Sequence, residues 1–163
     1  MQTITANNYS VYFDSKGYET LAEMLKPSHY SKIFILVDEN TSQYCLPHLL
    51  NNLATEIEIE IIELEVGEIH KNIATCTEVW GALSELGGDR KSILINLGGG
   101  VISDLGGFVA CTFKRGIDFI NIPTTLLSMV DASIGGKNGV DLGSLKNQIG
   151  IIREPKAVIV DTH

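Results

Sequence analysis

Ser92-Ile93-Leu94-Ile95-Asn96-Leu97-Gly98-Gly99-Gly100-Val101-Ile102-Ser103-Asp104 runs from a short apolar segment into three consecutive glycines and then an acid. The pattern reads as strand, phosphate loop and helix start. Adjacent glycines permit positive φ and leave no Cβ in the way of a ligand, and the N–H groups opening the next helix present partial positive charge to it. A pyrophosphate is the natural guest. A tight turn between a buried strand and a helix would use the same residues, so the neighbouring segments must decide.

Working outward, strand-like and helix-like stretches alternate. Thr3 to Phe13 carries β-rich residues broken by Asn7-Asn8, which predicts an opening hairpin. Gly17 to Lys26 places Leu21, Met24 and Leu25 at helical spacing before Pro27. Lys32 to Asp38 is a continuous apolar run ending in an acid, the pattern of a parallel strand buried on both faces. Asn40 to Leu53 predicts a helix bent near Pro47, and Ile57 to Leu64 alternates as a half-exposed edge strand does. Asn72 is a candidate cap for a helix with Ile73, Cys76, Trp80 and Leu83 on one core-facing stripe, closed by Gly87-Gly88.

A glycine-rich helix from Val101 to about Cys111 and the run Phe119 to Ile122 before Pro123 complete the series. Strands separated by helices imply parallel pairing, hence a Rossmann-like, doubly wound, mostly parallel α/β sheet with an amino-terminal β-hairpin. Ligands of such sheets bind beyond the carboxyl ends of the strands, so Asp38, Gly98 to Asp104 and the residues after Ile122 are expected to share one crevice.

Composition narrows the function. With 163 residues, 44% of them hydrophobic, the chain can bury one core, and a single domain over 1–163 is expected. The net charge of -8, with 12 scattered Lys and Arg, argues against nucleic acid as a partner. No run approaches a membrane span and Met1 to Thr5 is unlike a signal peptide, so no membrane partner and a cytoplasmic location are expected. Cys45, Cys76 and Cys111 lack ligand or disulfide spacing and read as core thiols, and the histidines show no paired metal-ligand spacing.

Beyond Ile122 the composition turns small, polar and charged without clean periodicity, the signature of a long surface loop. Thr124 and Thr125 offer hydroxyls, Asp131 a carboxylate, Gly135-Gly136 open backbone, and Lys137, Lys146 and Asn147 donors, which suits an anionic, polyhydroxylated ligand. Gly135-Gly136-Lys137 is not a P-loop, because Asn138 stands where Ser or Thr is needed.

Five linked motifs carry a resemblance. Gly98 to Phe108, Lys114-Arg115-Gly116, Ile122 to Leu127, Val130 to Lys137 and Lys146 to Gly150 resemble, in order and spacing, the amino-terminal half of 3-dehydroquinate synthase, and Gly67-Glu68-Ile69-His70-Lys71-Asn72 fits the family's Gly-Glu segment. The resemblance implies a dehydroquinate synthase-like fold. It also implies bound NAD+ that oxidises a hydroxyl of 3-deoxy-D-arabino-heptulosonate 7-phosphate and returns the hydride after phosphate leaves, giving 3-dehydroquinate.

By the same resemblance Asp38, Glu68 and Lys71 surround the adenosine, and Gly99, Gly100 and Val101 face the pyrophosphate. Asp104, Thr124, Thr125 and Leu127 line the cofactor further along. Asp131, Lys137, Lys146 and Asn147 lie where cofactor and substrate meet, and Arg115 reaches a substrate phosphate. A second, helical domain outside these residues is expected to supply a Glu and two His for a divalent metal, Zn or Co, within a homodimer. The 163 residues alone are then expected to be inactive. Related sugar-phosphate cyclases and metal-dependent alcohol or glycerol dehydrogenases are the alternatives, with a non-catalytic nucleotide-binding module behind them.

Overall fold

Alternation along the central strands decides the layering. In the computed structural model, which describes residues 3–163, β3 (Ile33–Asp38) sends Ile33, Ile35 and Val37 into one buried cluster and Phe34 and Leu36 into another. Strand β5 (Ile93–Gly98) does the same with Ile93, Ile95 and Leu97 against Leu94. A sheet apolar on both faces must be covered on both. Helices α1 (Asp14–Met24) and α3 (Leu46–Asn52) cover one face through Leu21 and Leu49. Helices α4 (Ile73–Glu85) and α5 (Gly100–Thr112) cover the other through Val79, Leu83, Leu105 and Val109.

The remaining elements are β1 (Ile4–Thr5), β2 (Ser10–Phe13), α2 (Glu39–Tyr44), β4 (Ile59–Leu64), β6 (Asp118–Pro123), β7 (Lys137–Leu142), β8 (Leu145–Ile152) and β9 (Ala157–Val160). Seven strands form one sheet in the order β1-β2-β9-β6-β5-β3-β4. All its pairings are parallel except β1 with β2. From β3 the chain leaves toward β4, whereas from β5 it leaves toward β6. The carboxyl ends of β3 and β5 therefore flank the switch point where such sheets open a crevice.

Several local expectations hold. The amino-terminal hairpin forms, with β2 also pairing with β9 so that it extends the main sheet. The helix after Asp38 breaks at Cys45, one residue before α3 opens with Pro47 in its first turn. Asn72 caps α4 by accepting a hydrogen bond from the Thr75 amide, and β4 is the sheet edge. Helix α1 begins at Asp14, three residues before the periodic stretch.

The segment after Ile122 corrects the reading as a surface loop. It contains a π-helical turn over Ser128–Ala132 and an antiparallel hairpin, β7 with β8, that forms a second sheet. Glycines hid those strands from any period-two count. Gly139 and Gly150 face each other across the ladder so closely that a Cβ on Gly150 would meet the Asn138 backbone. Val140 is fully buried in the α5-side core, which anchors the hairpin to the helix.

Candidate functional site

The glycine stretch forms the predicted strand–loop–helix unit, with Gly99 as the N-cap of α5 and no side chain capping it. The first amides of the helix are thus left without an intrahelical or side-chain acceptor, which gives this terminus the exposed donors and partial positive charge that suit an anion. Positive φ is not the reason for the glycines, because none of Gly98, Gly99 and Gly100 adopts it. Close approach is. A Cβ on Gly98 would lie 2.6 Å from Ile102 Cβ, one on Gly99 3.2 Å from Thr125 Cγ2, and one on Gly100 3.4 Å from Ala132 Cβ.

A cleft of about 380 Å3 opens at the switch point, lined by Asp38, Thr41, Tyr44, Gly67, His70, Gly99, Gly100, Val101, Thr124 and Thr125 among others. Each strand end contributes what its position dictates. Asp38 ends β3 and caps α2, its Oδ1 accepting from the Thr41 amide at 2.8 Å in a capping box. A carboxylate has further acceptor sites, so capping leaves room for a hydroxyl donor. The Thr124 amide donates to Gly98 O at 3.0 Å, tying the end of β6 to the glycine strand. The expected convergence of Asp38, the glycine loop and the residues after Ile122 is present.

A second cleft, of about 500 Å3, lies between α5, the π-helical turn and the hairpin, lined by Asp104, Asp131, Lys137, Asn138, Asn147 and Gln148 with neighbouring backbone. Lys137 Nζ is 3.5 Å from Asp131, and Lys146 Nζ is 3.3 Å from Glu68; all four side chains are largely exposed. Exposed pairs of this kind hold by at most about 1 kcal/mol, so an incoming anion can take over the lysines.

Neither Glu68 nor Lys71 lines the switch-point cleft, although Gly67 and His70 of the same turn do. Lys71 instead contacts Asp104 and Asn147, two residues that line the second cleft. Lys71 is 5% exposed, and its Nζ lies 3.2 Å from Glu68, 3.4 Å from Asp104 and 2.9 Å from Asn147 Oδ1. A buried ammonium needs such partners. Burial pulls the Lys71 pKa down, but Asp104 and Glu68 outweigh it and the net direction is upward. Asp104 moves the other way in charge preference: burial pushes its carboxyl up to about 6, against the opposing pull of Lys71. The two directions agree on a cation that stays charged beside a carboxyl that burial has made basic.

Leu127 sits exposed at the start of the π-helical turn. Arg115 is not brought to either cleft. It is exposed at the far end of α5, at positive φ in the 3-10 turn Phe113–Arg115, about 20 Å along the helix axis from Gly99. Sequence reasoning missed Asn138, which is buried and donates to the carbonyls of Gly136 and Arg153 at 2.9 Å each, so holding the mouth of the hairpin. Its signal was the adjacent Gly107, whose missing Cβ leaves the space the Asn138 amide occupies. It also gave no role to Thr41, or to His70, which it placed only within the Gly-Glu segment; both line the switch-point cleft.

Residues 61–163 match the family model described as 3-dehydroquinate synthase N-terminal, more than half of the chain. The chain belongs to that family. The 3-dehydroquinate synthase of Parabacteroides distasonis is 44% identical over 141 residues, covering 86% of this chain and 40% of the relative. That of Campylobacter jejuni is 45% identical over 156 residues, covering 96% and 42%. The chain thus spans about two fifths of the length of these relatives.

Among solved structures, a 2-deoxy-scyllo-inosose synthase superposes with a TM-score of 0.84 at 23% identity over 98% of this chain and 46% of its own. ValA, a 2-epi-5-epi-valiolone synthase from Streptomyces hygroscopicus with NAD+ and Zn2+ bound, gives 0.77 at 26% identity over 99% and 45%. The fold is therefore dehydroquinate synthase-like. Among the described residues no three His, Cys, Asp or Glu side chains are placed to hold a metal ion, and no helix is long and apolar enough to cross a membrane.

Proposed function

We propose that the chain is the NAD-binding part of a 3-dehydroquinate synthase, which converts 3-deoxy-D-arabino-heptulosonate 7-phosphate into 3-dehydroquinate and phosphate. One observation carries the reading: Asp38, the uncapped Gly99–Gly100 terminus and Thr124–Thr125 meet in a single cleft at the switch point of the sheet. Asp38 suits ribose hydroxyls. The amides of Gly100 and Val101 suit a pyrophosphate, and a cofactor extending past Thr124 and Leu127 would bring its reactive end to Asp104 and Asp131.

NAD+ supplies a hydride acceptor when bound. The chain's own residues bind, orient and hold charge. Lys137, Lys146 and Asn147 are donors suited to an anionic sugar, and cations near a leaving phosphate stabilise its developing charge. Asp104 can hold a proton near pH 6, and Lys71 beside it keeps the carboxyl from rising further. The divalent metal does not fit the residues of this chain; its Glu and His ligands belong to the proposed second domain, and no step here runs through it. The chain by itself is expected to lack turnover, and the whole enzyme to act as a cytoplasmic homodimer without nucleic-acid or membrane partners.

Titration calorimetry of the chain with NAD+, ADP and ATP tests the reading. NAD+ should bind in preference to ATP; a clear preference for ATP would refute the assignment. The reaction of a simple alcohol or glycerol dehydrogenase is disfavoured by Lys137 in the second cleft and Lys146 next to its lining residue Asn147, cations that a neutral alcohol does not need.

A further inference from the structure

Five polar side chains lie beneath the site, too deeply buried to touch any ligand. Asn96 on β5 and Asn121 on β6 are register partners on the face covered by α5, and Asn96 Nδ2 donates to Asn121 Oδ1 at 2.9 Å. Asn121 Nδ2 then donates to the Ser133 carbonyl at 3.2 Å. Ser133 Oγ donates to the Ser128 carbonyl at 2.7 Å, and Ser128 Oγ meets Ser103 Oγ of α5 at 3.2 Å. None of the five is more than 3% exposed.

Stability alone does not call for this network. The preceding register pair on the same face, Leu94 with Phe119, is apolar, and a shape-matched apolar pair at the next position would be as good or better. Asn96 Oδ1 even lacks a hydrogen-bond partner among the described residues, facing Gly106, where any Cβ would collide with the amide. What the network does is fasten both ends of the π-helical turn: Ser133 to the sheet, Ser128 to the helix that begins at the glycine cradle. π-Helical turns recur at functional sites, and this one carries Asp131. Its Ala132 is in van der Waals range of the space above Gly100, so a shift of the turn by an ångström would open or fill the cradle.

We propose that Asn121, Ser128 and Ser133, backed by Asn96 and Ser103, are positioning residues that hold the turn, and with it Asp131, in register with the cradle. The proposal rests on the reading of the cradle and Asp131 as a ligand site, but its first readout does not. The double variant Asn96→Leu/Asn121→Leu replaces the polar pair by a near-isosteric apolar one, so the core stays filled while the tether to Ser133 is lost.

Hydrogen exchange of the double variant should show the amides of residues 128–134 exchanging about tenfold faster, the scale of one lost buried hydrogen bond. Those of β5 and β6 should stay protected and the thermal midpoint should stay within roughly 5 °C. NAD+ affinity should fall several-fold in parallel. Unchanged exchange and affinity in a stable double variant would overturn the proposal, because a purely structural pair is replaceable. Should that variant fail to fold, Ser128→Ala, which removes one hydroxyl, must show the same local acceleration, and its absence overturns the proposal equally. Failure of the parent chain to bind NAD+ would instead refute the functional reading, leaving the exchange result to decide the positioning role.

Discussion

Replacing Asp104 by Asn should stabilise the protein at neutral pH and do little at pH 4. Burial holds the Asp104 carboxyl at about 6 in the folded chain, against 3.8 when unfolded, with the side chain 21% exposed. The folded state therefore binds the proton more tightly, and stability falls as pH rises from about 4 to about 6, then levels off. A shift of about two units is worth about 3 kcal/mol, of which 2 to 3 kcal/mol falls between pH 4 and 7.5.

Asn keeps the shape and an acceptor for Lys71 Nζ while removing the charge. The difference in unfolding free energy between variant and parent should therefore grow by that amount across the range, in the variant's favour at the high end. Urea unfolding can be followed through Trp80, the one tryptophan, which packs on Phe108 at a ring separation of 6.2 Å. The corresponding shift in melting temperature is about 5–10 °C for a chain of this length. Taking the difference cancels the other titrating groups. A difference that stays constant from pH 4 to 7.5 would refute the claim that desolvation dominates at Asp104.

Three further outcomes follow from the geometry. Gly107→Ala should cost roughly 2 kcal/mol or more, read as a lower melting temperature, because the new methyl collides with the buried Asn138 amide that anchors the hairpin. Gly99→Val should reduce NAD+ affinity at least about tenfold in calorimetry while circular dichroism stays unchanged, since its side chain intrudes beside Thr125 at the mouth of the cleft, at ordinary negative φ. Lys71→Met should push the Asp104 carboxyl above its present value of about 6, measurable by carbon-detected NMR titration, and should speed amide exchange in β7 and β8 through loss of the contact to Asn147.

The main sheet was legible because its strands announce themselves. Ile33 to Val37 is an unbroken apolar run and Ile93 to Leu97 is interrupted only by Asn96, and a strand covered on both faces tolerates such runs between turn residues. The caps at Asp38 and Asn72 follow from side chains that reach their own backbone three residues on. The hairpin β7–β8 was hidden because its pairing depends on contacts distant in sequence: Gly107 admits Asn138, Gly139 admits the Ile149 carbonyl, and Val140 alone supplies the core anchor. For the same reason the enclosure of Lys71 was not legible. Asp38, Glu68 and Lys71 all follow strand ends, but Lys71 comes after the 3-10 turn at Glu68–His70, and two of its three partners, Asp104 and Asn147, lie 33 and 76 residues further on.

The relation between the two clefts follows from where the charges are held. Asp104 lies in the second turn of the helix whose first amides face the switch-point cleft, so α5 presents its positive terminus on one side and a burial-raised carboxyl on the other. A ligand long enough to span both would have its anionic middle at the helix terminus and its far end between Asp104 and Asp131. There the exposed cation Lys137 pairs with exposed Asp131, and Lys146, beside the lining residue Asn147, pairs with exposed Glu68, carboxylates that an anionic ligand would displace with little loss. Lys71, by contrast, is enclosed and committed to three partners, and displacing it would strand a buried charge. The lysines thus divide by burial. Two are available to bind, and one fixes the frame against which they bind, a division that their spacing in the sequence does not express and that the packing of the hairpin on α5 creates.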